Sequence, residues 1–319
     1  MIVWLLCVLG LVILLLAGDA LVKGAVNLSL RVGIPALIVS LTIVAFGTSA
    51  PELLIAIAAV HEGAPGLALG NVVGSNTANI LMVLGIPAIL ATLHTSDCDT
   101  RKSYFQMLAA TALFIALAFC GSFTWVSALV LLAALAVMLW IATKDALAHR
   151  RETRVASEEA ELEDLEGADP NMPWWKIWMF LLLGLIGLPL GADILVDNAS
   201  HIARMYGVSD TVIGLTLVAL GTSLPELATT VMAALRRQAD VALGNVIGSN
   251  MFNLLAIIGV AALIGPIPVD PTFLRFDLWV MLGASLLLAP FVLLRWNISR
   301  IWGAVLTILY LAYVTIVII

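Results

Sequence analysis

Leu41 to Leu53 reads LTIVAFGTSAPEL, and Leu215 to Leu227 reads LTLVALGTSLPEL. A second block follows each copy, ALGNVVGSN at Ala68 to Asn76 and ALGNVIGSN at Ala242 to Asn250. Both pairs stand 174 residues apart, with 10 of 13 positions identical in the first pair and 8 of 9 in the second. Each copy sets a glutamate, hydroxyls and amides inside a strongly apolar run. An internal repeat that carries polar groups at membrane depth is the pattern of a secondary transporter.

The surrounding chain fits that pattern. Of 319 residues, 62% are hydrophobic and 11% charged, with a mean hydropathy of +1.10. No soluble core needs so much apolar sequence, so the expected class is an all-α polytopic membrane protein. The net charge of −6 is local, since seven acids crowd into Glu158 to Asp169, and nothing suggests a nucleic-acid partner. Cys7, Cys98 and Cys120 are scattered and read as unpaired thiols. The opening segment has no basic leader or small-residue cleavage site and reads as a retained span.

Ten apolar segments approach the roughly 20 helical residues that cross a bilayer. They lie near Ile2–Ala17, Pro35–Val60, Leu67–Leu93, Tyr104–Cys120, Thr124–Thr143, Trp174–Leu195, Thr211–Leu235, Val241–Ile264, Phe276–Leu294 and Ile301–Ile319. The polar stretch 144–173 divides them into two five-helix repeats, 1–143 and 174–319. Alternate loops hold 13 of the 15 basic residues, leaving only Arg204 and Arg275 for the other side. The basic side is expected to be cytoplasmic. Both termini then face outward, and the central loop is cytoplasmic. Because five is odd, the second repeat must enter the membrane inverted relative to the first.

On a helix, residues four apart share a face. Thr48 and Glu52 do so, as do Thr222 and Glu226. Asn71, Ser75 and Asn79 form a second stripe, matched by Asn245, Ser249 and Asn253. These stripes offer oxygen, which hard cations such as Ca²⁺ and Na⁺ prefer, and neither Cys nor His, which zinc or copper would want. Pro51 and Pro225 precede the glutamates. Read as mid-helix prolines, they free carbonyls near Gly47 and Gly221, and near Ala45 and Ala219. Gly70 with Gly74, and Gly244 with Gly248, form GxxxG pairs for close helix approach. A carboxylate at the bilayer centre costs at least about 2.5 kcal/mol and normally faces a cavity and a partner. No lysine or arginine shares the spans of Glu52 and Glu226, so the simplest partner is a transported cation.

At these residues the chain resembles the sodium/calcium exchanger branch of the calcium/cation antiporters. GTSAPE at Gly47 to Glu52 with GNVVGSNTAN at Gly70 to Asn79 is similar to the family's first alpha repeat. GTSLPE at Gly221 to Glu226 with GNVIGSNMFN at Gly244 to Asn253 is similar to the second. The resemblance implies exchange of Na⁺ for Ca²⁺ by alternating access, with the first and sixth spans sliding past the others. It implies Glu52 and Glu226 as principal Ca²⁺ ligands, with Thr48 and Thr222. Ser49, Ser75, Asn79, Ser223, Ser249 and Asn253 would complete the Na⁺ and Ca²⁺ sites. Some members carry aspartate where this chain has Asn253, and the potassium-dependent branch associates it with K⁺. With amides at both Asn79 and Asn253, the expectation is potassium-independent, electrogenic exchange. Gly184, Gly187, Pro189 and Gly191 fit a smooth sliding surface or ordinary close packing. Asp19 and Asp193, also 174 apart, read as polar groups at helix ends.

Two rival functions stand beside this reading. Adjacent glutamates without a counter-charge suit an H⁺/Ca²⁺ antiporter, although GTS-x-PE in both copies favours sodium. A passive cation channel fits less well, because an inverted repeat within one chain points to alternating access. There is no nucleophile–base set, so no enzyme activity and no cofactor are expected. The expected partners are Ca²⁺, Na⁺ and the lipid bilayer. A complete site within one chain suggests a functional monomer, and the short loops suggest a prokaryotic inner membrane.

Overall fold

A computed structural model describes residues 2–156, 169, 171–207 and 219–318. The chain is mostly helical. Helices α1 (Ile2–Val32), α2 (Ala36–Thr48), α3 (Ala50–His61), α4 (Pro65–Leu90), α5 (Arg101–Ala118) and α6 (Trp125–Ala156) form the first half. The second half comprises α7 (Trp174–Met205), α8 (Ala219–Gly221), α9 (Leu224–Leu235), α10 (Ala239–Ile264), α11 (Pro271–Arg275), α12 (Asp277–Leu293) and α13 (Arg300–Ile318). Among the described residues, six helices are long and apolar enough to cross a membrane, or seven if α2 and α3 count as one bent span. The opening of the expected seventh span, 211–218, and the acidic run 158–168 lie outside the described residues.

The sequence repeat is also a repeat of structure. Shifting Ala50–His61 and Pro65–Leu90 by 174 residues gives Leu224–Leu235 and Ala239–Ile264, the observed bounds of α9 and α10. The equivalent helices α1 and α7 pack antiparallel. Gly10 meets Leu195, Gly191 meets Leu14, Gly187 meets Ala17, Gly184 meets Leu21 and Gly24 meets Leu181. A Cβ on Gly184 would stand 2.5 Å from that of Leu21, so the glycines let two backbones approach where lipid supplies no hydrophobic drive between helices. Close packing is therefore how Gly184, Gly187 and Gly191 are used here.

Helices α4 and α10 form the centre, with 83% and 78% of their apolar windows buried, against 17–33% for α1, α6, α7 and α13. The outer helices instead expose large side chains such as Leu5, Leu16, Trp125 and Ile301. Two short antiparallel pairings tie the halves crosswise. Ser122–Phe123 (β1) pairs with Ile267–Pro268 (β2), and Leu93 exchanges both backbone hydrogen bonds with Ile298 at 3.1 Å.

Several expectations need correction. The first span does not end at Ala17, nor the sixth at Leu195. Helix α1 runs on to Val32 and α7 to Met205. Asp19 and Asp193 therefore lie within helices, not at their ends. Asp19 is ion-paired to Lys23 at 3.0 Å and to Arg236 at 2.5 Å, which satisfies a carboxylate along a buried stretch. Pro51 and Pro225 are not mid-helix kinks. Each occupies the first turn of a new helix, where a missing N–H costs nothing.

Candidate cation site

The repeated motif folds into the same local break twice. Helix α2 ends at Thr48, Ser49 leaves helical geometry at φ −86°, ψ 3°, and α3 restarts at Ala50, bent by 42°. In the second copy α8 ends at Gly221, Ser223 sits at φ −89°, ψ 2°, and α9 restarts at Leu224. The carbonyls of Ser49 and Ser223 accept from Leu53 and Leu227 N–H at 3.2 and 3.0 Å, starting the new helices. Glu52 and Glu226 thus fall in the first turn of a helix, where exposed N–H groups and the helix dipole favour negative charge. Wide π turns at Ser40–Val44, Asn79–Val83 and Phe252–Ile257 adjoin the motif residues. Such turns disturb the backbone ladder and recur at functional sites.

Helix α10 brings the copies together. A Cβ on Gly248 would stand 2.4 Å from Leu41 O and 2.6 Å from Ala45 Cβ, and one on Gly244 would stand 2.7 Å from Leu37 O. Only glycines allow α2 to lie this close. The equivalents of Leu37 and Leu41, residues 211 and 215, lie outside the described residues.

At this contact Thr48 Oγ1 donates to Asn245 Oδ1 at 3.3 Å and lies 3.4 Å from Ser249 Oγ. Ser49 Oγ donates to Glu226 Oε1 at 3.2 Å, and Ser249 Oγ reaches the same oxygen at 3.5 Å. Asn245 Nδ2 donates to Glu226 O and to Thr230 Oγ1. The symmetric bond, Thr222 Oγ1 to Asn71 Oδ1, is 3.3 Å long.

The site is buried and incompletely satisfied. Glu52 is 1% exposed and Glu226 0%. Both Glu52 oxygens, Glu226 Oε2, Asn79 Oδ1, Ser223 Oγ and both polar atoms of Asn253 lack a hydrogen-bond partner among the described residues. Ser75 is buried one turn before Asn79. The Ala45 carbonyl accepts from Ser49 N–H at 3.0 Å and from Thr48 Oγ1 at 3.3 Å, so it is already engaged. Ala219 is the first residue of α8. Among the described residues no group of three or more His, Cys, Asp and Glu forms a metal cluster. Two carboxylates with hydroxyls and amides make a donor set for a weakly held hard cation rather than a resident transition metal.

The site list read from sequence omits Thr230, Asn250 and Asn76. Thr230 accepts from Asn245, and Asn250 accepts from Asn79 Nδ2 at 3.0 Å. Asn76 and Asn250 were findable, because both belong to the repeated ALGNV-x-GSN block.

The sodium/calcium exchanger protein family matches residues 2–144 and 176–319. The chain belongs to this family. It is 35% identical to the putative antiporter CaxA of Alkalimonas amylolytica, over 95% of both chains. It is 34% identical to the sodium/calcium exchanger MaX1 of Methanosarcina acetivorans, over 98% of this chain and 97% of that one. The solved sodium-calcium exchanger NCX_Mj, soaked with Na⁺ and Sr²⁺, superposes with a TM-score of 0.82 at 31% identity, covering 99% of this chain and 98% of that one. Family and fold are those of antiporters rather than enzymes, and the apolar helices are those of an integral membrane protein.

Proposed function

We propose that this exchanger-family chain moves Ca²⁺ across the membrane in exchange for Na⁺, by alternating access. One observation carries the reading. Glu52 and Glu226 are both buried, hydroxyls from the two motif copies meet on Glu226 Oε1, neither Glu52 oxygen has a hydrogen-bond partner, and no lysine or arginine is paired to either glutamate among the described residues. A buried carboxylate pair needs a positive partner, and a transported cation supplies it. Glu52, Glu226, Thr48 and Thr222 would hold Ca²⁺. Ser49, Ser75, Asn79, Ser223, Ser249 and Asn253 would complete the Na⁺ and Ca²⁺ sites, with the carbonyls of Ala45 and Ala219 as further candidate ligands, that of Ala45 once it is released from Ser49 and Thr48.

The architecture we infer is ten spans in two inverted repeats, 1–143 and 174–319, joined by a cytoplasmic linker. The seven apolar spans are then completed by α5, α12, and α9 with the residues before it. The antiparallel packing of α1 and α7 supports the inversion. Both termini face outward, the membrane is a prokaryotic inner membrane, and the unit is a monomer. Helices α1 and α7, locked to each other through their glycines, slide together along the rest. With amides at Asn79 and Asn253, transport is potassium-independent. Two carboxylates neutralise one Ca²⁺, whereas three Na⁺ leave a net positive load, so exchange carries current.

The test is uptake of radiolabelled Ca²⁺ into proteoliposomes loaded with Na⁺ and diluted into Na⁺-free buffer, with and without K⁺ and an imposed voltage. Uptake that needs internal Na⁺, ignores K⁺, responds to voltage and vanishes in Glu226→Gln is the expected result. Uptake driven by a pH gradient alone would instead support the H⁺/Ca²⁺ reading, which two buried carboxyls without a counter-charge also favour.

A further inference from the structure

The amide of Asn79 has two faces, and only its oxygen can serve a cation. What decides which end points into the site lies one residue beyond the family motif's obvious ligands. Asn250 Nδ2 points at Asn76 O, 3.4 Å away, and at Met107 Sδ, 3.8 Å away. A backbone carbonyl and a thioether can only accept, so the NH₂ end of Asn250 must face them. Its Oδ1 is thereby turned toward Asn79. Asn79 answers with Nδ2, donating at 3.0 Å. The Asn79 Oδ1 that remains is buried and has no partner among the described residues. It stands one turn from Ser75 on the stripe whose Asn71 meets Thr222 of the other copy.

We infer that Asn250 is a positioning residue for ion binding: through the relay Asn76 O, Asn250, Asn79 it holds the Asn79 carbonyl oxygen, rather than its NH₂, toward the transported cation. This rests on the transport reading above. The relay is not duplicated by the repeat. Asn76, 174 residues before Asn250, donates Nδ2 to Val72 O of its own helix at 2.7 Å. Asn253, the counterpart of Asn79, has neither amide end engaged among the described residues. One of two equivalent asparagines is thus fixed with its oxygen free for a cation, and the other has no amide partner among the described residues to fix it. Matched sequence therefore gives two unlike ligands.

The experiment is equilibrium binding of radiolabelled Na⁺ and Ca²⁺ to the purified full chain in detergent. The proteins are wild type, Asn79→Ala, Asn250→Leu, Asn250→Ala and the double variant Asn79→Ala/Asn250→Ala. Each Asn250 variant is expected to raise the Na⁺ half-saturation about tenfold, as loss of one ion ligand would. The double variant is expected to be no weaker than Asn79→Ala, because residues acting as one unit do not add. Should Asn250→Leu fail to give monodisperse protein, Asn250→Ala carries the test. A double variant whose losses multiply, or an Asn250 variant with unchanged Na⁺ half-saturation, overturns the relay. A wild-type protein that binds neither ion overturns the transport reading, and the relay falls with it. Wild-type binding with multiplied losses overturns the relay alone.

Discussion

Ser49 Oγ donates to Glu226 Oε1 at 3.2 Å, so the serine of one motif copy holds the carboxylate of the other. The two copies therefore meet in a single candidate site. Neither could form it alone, because the break that frees Ser49 and the helix start that carries Glu226 lie 177 residues apart. Replacing Ser49 by alanine leaves Ser249, at 3.5 Å, as the remaining hydroxyl on that oxygen. A hydrogen bond to a charged group contributes about 1.5–3 kcal/mol. Ser49→Ala is expected to weaken the half-saturation for Ca²⁺ by roughly tenfold or more while transport persists, read from uptake against external Ca²⁺. Unchanged half-saturation would show that the bond does not position the carboxylate.

Glu52 differs from Glu226 although the sequences around them match. Ser49 and Ser249 both reach Glu226, whereas neither oxygen of Glu52 has a partner among the described residues. A buried carboxylate without a partner destabilises the ion-free protein. Glu52→Gln is therefore expected to raise the thermal midpoint in ion-free buffer, and more than Glu226→Gln does. Both variants lose transport and the thermal shift on adding Ca²⁺. A lower ion-free midpoint for Glu52→Gln would contradict the difference drawn here.

Gly248 is where α10 meets α2. An added methyl would collide with Leu41 O and Ala45 Cβ, backbone and short side chain that cannot swing aside. Overpacking of this kind costs about 1–3 kcal/mol. Gly248→Ala should lower the thermal midpoint and impair ion binding together, since it separates Thr48 from Asn245 and Ser249. Gly283, with nothing within 4 Å of its added Cβ, provides the control. Gly283→Ala is expected to leave both properties at wild-type values or improve stability slightly.

Asp19 links α1 to the turn after α9 through Arg236, and a Cβ on Gly18 beside it would stand 2.9 Å from Ala228 O. The pairing is partly shielded from solvent, with side-chain exposures of 18% and 19%. Breaking a shielded pair from one side costs more than breaking a surface pair, whose contribution is about 0–1 kcal/mol. Asp19→Asn should lower the thermal midpoint measurably, and Lys102→Gln, which breaks the more exposed bridge to Asp145, should not. Equal effects would mean that shielding does not matter at Asp19.

Much of the site could be read from the repeat. An identical block at a fixed spacing marks Thr48, Glu52, Thr222 and Glu226 without any structure. The helix breaks were only half legible. Pro51 and Pro225 mark them, but proline alone does not say whether it bends a helix or begins one, and the φ and ψ of Ser49 and Ser223 decide that. The ends of α1 and α7 are hidden in the sequence because Asp19, Lys23 and Asn27 look like the edge of a span. Tertiary contacts satisfy them inside the helix: Asp19 through Arg236, and Asn27 through a bond from Asp169 N–H at 2.8 Å. The inequivalence of Glu52 and Glu226, and of Asn79 and Asn253, had no signal in sequence at all. It arises from which neighbour each side chain meets.

The crosswise pairings of Leu93 with Ile298 and of Phe123 with Ile267 have a consequence for the two halves as separate pieces. Residues 93 and 267 occupy the same place in the repeat, and 123 and 298 do so within one residue. Each half holds both kinds of segment, yet each takes its mate from the other half. Cutting the chain between the halves and removing either piece would therefore open both pairings at once and leave the remaining piece with two unpaired backbone edges.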